Sequence, residues 1–310
     1  MTIAILGPGA LGCLLAALLS EAWQDAALVD YRPHRAARLR QQGIRYRTLD
    51  GQDRQAAVAV GLPQEMGPRD LVIVAVKAYH TEAAARALPH LMAAGSVALT
   101  LQNGLGNLEA MALAVGPERL AAGVGLLGVT RQEEGQVVHA GAGPIFLGRP
   151  LDSQVTGAEL AEVARIFQRA GLDCQVRDDI DAVLWEKLLV NVGINHLTAL
   201  LRVPNGALLE LSDAWEVALA AATEAKAVAL ASGLALTADP DAALRRVCTN
   251  TARNRSSILQ DVLAGRPTEI MALNGQVVQR GQPLGVPTPV NALLTRLVTA
   301  LSQSAALRVS

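Results

Sequence analysis

The stretch Thr2-Ile3-Ala4-Ile5-Leu6-Gly7-Pro8-Gly9-Ala10-Leu11-Gly12-Cys13-Leu14-Leu15 decides the fold. Its unbroken apolar run Thr2–Leu6 predicts a buried strand, and Leu11–Trp23 has the composition of a helix. Between them Gly7, Gly9 and Gly12 form a GxGxxG. Glycines at those places permit a tight turn, close approach of the backbone to a pyrophosphate, and packing of helix on strand. The helix N-terminus adds unpaired N–H groups and a partial positive charge. Alone, the spacing is weak evidence, because a purely structural glycine turn produces it too. Placed between strand and helix, it predicts that Gly7, Pro8, Gly9, Ala10, Leu11 and Gly12 bind a dinucleotide. The same run resembles a secretion signal in apolarity, but it lacks a basic start and Gly7-Pro8-Gly9 interrupts it.

Working outward, Ala27–Asp30 predicts the second strand, and Asp30 lies eighteen residues after Gly12. An acidic residue there accepts a hydrogen bond from a ribose hydroxyl, as in NAD sites, whereas an arginine just beyond pairs with a 2′-phosphate. Asp30-Tyr31-Arg32 offers both, and a solvated loop explains either charge equally well. His34–Gln42 predicts a helix, Leu71–Val76 a buried parallel strand, Thr81–Met92 a helix and Ser96–Leu101 another strand. This alternation predicts a doubly wound parallel sheet with helices on both faces. Lys77 follows the strand Leu71–Val76, and Asn103 follows Ser96–Leu101. Both fall at the carboxyl edge where open parallel sheets bind ligands, although a surface lysine and a turn asparagine are the plainer alternatives.

The pattern then changes. Gly123–Arg131 and Gln136–Gly148 predict a hairpin through Glu133-Glu134-Gly135, followed by a helix over Leu160–Ala170 and a strand over Asp173–Arg177. Beyond Asp179 the remainder reads as helices: Ile180–Leu201, Ser212–Ser232, Asp239–Leu263, Ile270–Gly281 and one after Pro289. The expected organisation is a dinucleotide-binding Rossmann domain over residues 1–178 and an all-helical substrate and catalytic domain over 179–310.

Composition narrows the function. Over half of the 310 residues are apolar, and 27 basic side chains face 28 acidic ones without a basic block. Neither nucleic acid nor a membrane is indicated as a partner. The three cysteines, Cys13, Cys174 and Cys248, are too few and too scattered for a disulfide framework, which points to a reducing, cytoplasmic setting. The histidines His34, His80, His90, His139 and His196 lie too far apart to suggest a metal site.

In the helical half, Trp185–Asn195 holds a polar stripe. Lys187, Asn191 and Asn195 are spaced by four, which stacks them on one face of an otherwise apolar helix. Buried there without partners, each group costs about 1–3 kcal/mol. A polar ligand supplies such partners; an ordinary solvated face is the alternative. A second polar cluster runs from Asn254 through Ser257 to Asp261, followed by Thr268-Glu269. Thr268 suits an N-cap, and Glu269 suits the first turn of a helix.

In these motifs the chain resembles the ketopantoate reductase family over nearly its whole length. The matching text is GPGALG, VAVKAY, LQNGLGN, GQVVHAGAGPIFLG, LWEKLLVNVGINHLTALLRVPNG and NRSSILQDVLAGRPTEIMALNG. The resemblance implies reduction of 2-dehydropantoate to pantoate, a step toward pantothenate and coenzyme A. It implies Lys187 as proton donor and Glu269 as active-site glutamate, also near the cofactor. It places Asn103, Asn191, Asn195, Asn205, Asn254 and Ser257 at the substrate, and Gly7 to Gly12, Arg32, Lys77 and Asn103 at the cofactor. NADPH is the implied cofactor, with NADH made possible by Asp30, since the family more often has an apolar residue there. The implied partner is a small 2-keto acid, and the expected assembly is a monomer or a homodimer. A paralogous reductase of another keto acid would share these motifs. A non-catalytic dinucleotide sensor would need the glycine loop but not the Lys187/Glu269 pair.

Overall fold

The structure, a computed structural model, describes residues 1–23 and 25–304. These form two compact units: Met1–Gln102 with Asn107–Ile180, and Asn103–Gly106 with the chain from Asp181 onward.

The first unit contains twelve strands: β1 Ile3–Leu6, β2 Ala26–Val29, β3 Ile44–Arg47, β4 Asp53–Ala56, β5 Ala59–Gly61, β6 Arg69–Val74, β7 Met92–Thr100, β8 Leu120–Gly125, β9 Gly128–Glu133, β10 Gln136–Gly141, β11 Ile145–Gly148 and β12 Cys174–Val176. Its α-helices are α1 Ala10–Ala22, α2 Pro33–Gln42, α3 Pro63–Met66, α4 Thr81–Ala85, α5 Leu88–Leu91, α6 Asn107–Val115 and α7 Gly157–Arg169. Eight strands make one sheet in the order β12-β11-β8-β7-β6-β1-β2-β5. Its core pairs run parallel, while β11 lies antiparallel to β8. All four residues of β1 are buried, as are Leu71 to Val74 of β6, because helices cover both faces of a parallel sheet. The chain leaves β1 toward β2 and later returns to β6 on the other side of β1, so the strand order reverses there. Ligands bind at such a reversal in open α/β sheets. The register puts Leu6, Val29, Val74 and Thr100 level across four strands, and hence Gly7, Asp30, Ala75 and Leu101 at one edge.

A second, four-stranded sheet has the order β4-β3-β10-β9. The hairpin expected over 123–148 is therefore two pairs of strands. β9 and β10 pair antiparallel in the small sheet, while β8 and β11 pair in the large one. Glycines at 125, 128, 141 and 143 with Pro144 interrupt both arms and let the chain change sheets. The helix expected over Thr81–Met92 is also broken. Pro89 lies in the first turn of α5 and has no N–H to continue α4, and Met92 already begins β7.

The second unit holds α8 Ile180–Leu201, α9 Ser212–Ala231, α10 Pro240–Asn250, α11 Ser257–Leu263, α12 Asn274–Gly281 and α13 Pro289–Gln303, with 3-10 turns at Asn205–Glu210 and Ile270–Ala272. Leu188, Leu189, Val192 and Ile194 of α8 are buried among α9–α13 side chains in two apolar clusters. The single helix expected over Asp239–Leu263 is divided because its middle carbonyls are recruited elsewhere. Asn205 donates its N–H to the Asn254 carbonyl at 3.0 Å, and Gly206 donates to that of Ala252 at 3.0 Å. Ser256 then caps α11, its Oγ accepting the Leu259 N–H at 3.1 Å. The helix expected over Ile270–Gly281 breaks for the same reason, since the Ala272 carbonyl accepts the Leu105 N–H at 2.9 Å. Among the described residues no helix is long and apolar enough to cross a membrane.

Candidate active site

The glycine loop follows β1 and opens α1. Gly7 has φ +115°, and a Cβ there would lie 2.9 Å from the Val76 nitrogen. A Cβ on Gly12 would lie 1.9 Å from the Gly7 carbonyl oxygen. The protein's own packing therefore requires both glycines. Gly9 differs: its nearest neighbour would be the Ala75 carbonyl at 3.6 Å, an ordinary contact. Nothing in the protein demands a glycine there, and Gly9 caps α1 without offering a side chain to the first-turn N–H groups. An anionic ligand resting on that turn accounts for both features. The loop thus fits a dinucleotide pyrophosphate, with Gly7 and Gly12 shaping the turn and Gly9 left open to approach.

At the end of β2 the two charges read from the sequence are unlike. Arg32 is exposed, with its guanidinium 5.5 Å from the Tyr31 ring centre. Asp30 is fully buried and bonded at both oxygens: Arg35 donates from Nε to Oδ2 and from a terminal nitrogen to Oδ1 at 2.7 Å. Oδ1 also accepts the Arg32 backbone N–H at 3.1 Å. Asp30 is thus not the accessible carboxylate that the second-strand pattern offers to a ribose. Lys77, part-buried, follows β6 at the same edge of this unit.

The segment after β7 is held by a buried polar network missed in the sequence. Gln102 donates to the Thr81 hydroxyl at 2.6 Å and to the Val76 carbonyl at 3.1 Å, and Thr81 donates to Asn107 Oδ1 at 2.8 Å. The signal was the polar pair bracketing LQNGLGN, both ends of which are buried. Within that segment Gly104 has φ +79°, and a Cβ there would lie 2.2 Å from the Ala272 carbonyl oxygen. Only glycine allows this approach, which brings Asn103–Gly106 against the turn that begins just after Glu269.

On α8, Lys187, Asn191 and Asn195 are each part-buried, so the stripe is neither a fully buried face nor a solvated one. Burial lowers the Lys187 ammonium from 10.5 to about 8, and the Glu269 carboxylate opposes that shift. Glu269, 4% exposed, stands at the start of the 3-10 turn Ile270–Ala272, which has no side-chain cap from Thr268. The second unit therefore brings Lys187 and Glu269 into electrostatic contact across 82 residues of sequence. Asn195 is positioned through its carbonyl, which accepts the Thr198 hydroxyl at 2.9 Å and the Ser256 hydroxyl at 3.2 Å. The Thr198 and Ser256 hydroxyl oxygens are also 2.8 Å apart, tying α8 to the start of α11, where Ser257 is part-buried. Sequence reasoning passed over Ser256 and Thr198 in favour of their neighbours. Asn205 is buried and donates its side-chain amide to Thr251 Oγ1 at 2.9 Å, while its Oδ1 has no hydrogen-bond partner among the described residues. Asn254 is exposed and meets Asn205 through its backbone carbonyl. These two lie together, but the Asn205 amide is engaged in holding the turn after α8.

A loop–helix glycine motif open at Gly9 and a Lys/Glu pair are joined by agreement with known proteins. Residues 3–151 match the model of ketopantoate reductase PanE/ApbA, and residues 179–302 match that of its C-terminal region. The chain belongs to the ketopantoate reductase family. A 2-dehydropantoate 2-reductase of Halobacterium salinarum is 37% identical over 299 residues, covering 96% of this chain and 98% of the relative. Among solved structures, the PanE/ApbA family ketopantoate reductase of Ralstonia eutropha JMP134 superposes with a TM-score of 0.88 at 32% identity, over 98% of this chain and 99% of that one. D-mandelate dehydrogenase with NADH and anilino(oxo)acetate superposes with a TM-score of 0.90 at 26% identity, over 98% and 99%. The ketopantoate reductase fold thus extends over nearly the entire chain.

Proposed function

We propose that this chain reduces 2-dehydropantoate to pantoate in the formation of pantothenate, using NADPH in preference to NADH. The observation that carries the reading is the Lys187/Glu269 pair: a part-buried lysine with its pKa drawn down to about 8, beside a buried carboxylate, in a ketopantoate reductase chain. Residues 1–178, most of which lie in the first unit, act as the dinucleotide-binding domain, and residues 179–310 act as the substrate and catalytic domain.

Gly7 to Gly12 receive the pyrophosphate, Arg32 the 2′-phosphate, and Lys77, Asn103 and Glu269 the nicotinamide end. When bound, the reduced nicotinamide supplies the hydride that adds to C2 of the keto acid. As the carbonyl is reduced its oxygen gains negative charge. An ammonium group bonded to that oxygen is held more tightly in the transition state than in the ground state and can deliver a proton to it. Lys187 fills this role, and a pKa near neutrality suits proton delivery, an effect worth about 10²–10⁴ in rate. Asn191 and Asn195 orient the ammonium and the substrate, Ser257 binds the substrate carboxylate, and Glu269 keeps Lys187 protonated and accepts the substrate hydroxyl. Asn205 and Asn254 shape the wall of the substrate site through the turn they share. A reducing, cytoplasmic setting agrees with three free, buried thiols.

The test is oxidation of NADPH and NADH with 2-dehydropantoate and a panel of 2-keto acids, including the one that corresponds to mandelate. The highest kcat/KM is expected for 2-dehydropantoate with NADPH. A larger kcat/KM for another keto acid would overturn the substrate assignment.

A further inference from the structure

Asp30 is the only acidic residue of the Asp30-Tyr31-Arg32 corner, and Arg35 occupies it completely. Nε and a terminal nitrogen of Arg35 reach the two different carboxylate oxygens, and Asp30 has no exposed surface. On its other side Arg35 lies 3.6 Å from Glu134, at the tip of the β9–β10 hairpin, and Glu134 is also paired with Arg38. These four charges cancel as two opposite pairs. Arg32 carries no counter-ion among the described residues and keeps its guanidinium in the open beside Tyr31. A corner whose sequence is Asp-x-Arg therefore presents one unneutralised positive charge.

We propose that Arg35 sets the cofactor preference of this chain, by withholding Asp30 from ribose hydroxyls and leaving Arg32 as the uncompensated cation for a 2′-phosphate. The proposal rests on the reading that a dinucleotide binds beyond β1 and β2. An accessible Asp30 would favour NADH in two ways: it would accept a hydrogen bond from the 2′-hydroxyl of NADH and repel the 2′-phosphate of NADPH. Bound to Arg35, it does neither. Glu134 holds the guanidinium from outside, so that Arg35 stays on Asp30 when a phosphate arrives nearby. Arg35 is thus a positioning residue for selectivity and need not touch the cofactor.

The full-length chain tests this directly, with Kd for NADPH and NADH read from nucleotide fluorescence. Arg35→Met releases Asp30, and NADH is expected to bind tighter in absolute terms, with the NADPH preference falling by about tenfold or more, the weight of one charge-assisted hydrogen bond. Damage to the fold does not raise an affinity, so a gain for NADH separates selectivity from instability. Adding Asp30→Asn to Arg35→Met should return the preference to within about threefold of wild type. Asp30→Asn alone does not depend on the Arg35 variant folding. It should leave NADH affinity within about threefold, whereas a tenfold loss would mean that Asp30 reads the ribose and would overturn the proposal. An unchanged preference in Arg35→Met, with Arg32→Ala still weakening NADPH, also overturns it while leaving the cofactor site in place. If Arg32→Ala and Gly9→Ala both leave both affinities unchanged, the siting of the dinucleotide fails, and the proposal with it.

Discussion

Replacing Lys187 by Met should abolish catalysis and stabilise the protein. Burial lowers the lysine from 10.5 to about 8 with the opposing effect of Glu269 already included. At 1.36 kcal/mol per pKa unit, the charged side chain costs the folded state about 3 kcal/mol. Methionine stands in for the neutral lysine, the reference state of this shift, so position 187 offers Glu269 no cation in either and no further penalty is added. Loss of Nζ hydrogen bonds makes about 3 kcal/mol an upper figure. The sign follows from linkage. The folded pKa is depressed, so the full cost applies below pH 8 and disappears as pH rises from about 8 to 10.5, where both states are neutral. Thermal unfolding at pH 7 should show the variant raised by several degrees, at roughly 2–4 °C per kcal/mol for a chain of this size. The advantage should vanish near pH 10.5. kcat should fall by about 10² or more, with NADPH affinity retained. A variant less stable than wild type at pH 7 would show that Lys187 is not held at an electrostatic cost. A variant with near wild-type kcat would remove it from the chemistry.

The pH profile of kcat/KM for reduction should fall above about pH 8 as Lys187 loses its proton, and in Glu269→Gln the inflection should move to lower pH, because a carboxylate that favours the charged lysine is gone. An unmoved inflection would separate the two residues. Gly9→Ala should leave the melting temperature near wild type, since the added methyl lies 3.6 Å from its nearest neighbour, yet weaken NADPH binding at least tenfold. Gly12→Ala, whose methyl would lie 1.9 Å from the Gly7 carbonyl, should destabilise the fold in the same melting assay. Ser256→Ala should cost about 1–2 kcal/mol in denaturant unfolding, from the lost α11 cap and the lost Ser256 contacts to Asn195 and Thr198. Its kcat should also fall as Asn195 loses an anchor.

The large sheet was legible because its central strands carry their instruction locally. Buried on both faces, Ile3–Leu6, Ala26–Val29 and Leu71–Val74 need to be apolar throughout, and each reads as a short, uniformly apolar run. The small sheet lacks that property. Asp53–Ala56 is exposed over three of its four residues, so no alternation marks it as a strand. Only Asp50-Gly51 hinted at the turn before it, with Gly51 at φ +85°. Helix existence was legible and helix breaks were not. The stops after α10 and before α12 depend on carbonyls of Ala252, Asn254 and Ala272 accepting N–H groups from Gly206, Asn205 and Leu105, which are distant in sequence. A periodicity measured along one segment carries no trace of a hydrogen bond drawn from another.

The site divides along the same line. Residue types at fixed spacing, such as the glycine loop and the Lys187/Asn191/Asn195 stripe, are written in local sequence, because a helix or a turn converts spacing into direction. What tunes them is not. Glu269 acts on Lys187 from 82 residues away, and Asn195 is anchored by Ser256 from another helix. Asp30 shows why the distinction matters for function. Its position along the chain assigns it to a ribose, whereas its environment assigns it to Arg35. A carboxylate with both oxygens engaged by a guanidinium has little left to offer a neutral hydroxyl, since exchanging the contact would strand a buried charge at a cost of about 3–5 kcal/mol. On the proposal above, cofactor choice would turn on Arg35, a part-buried side chain of α2 three positions beyond the fingerprint, where the motif does not look.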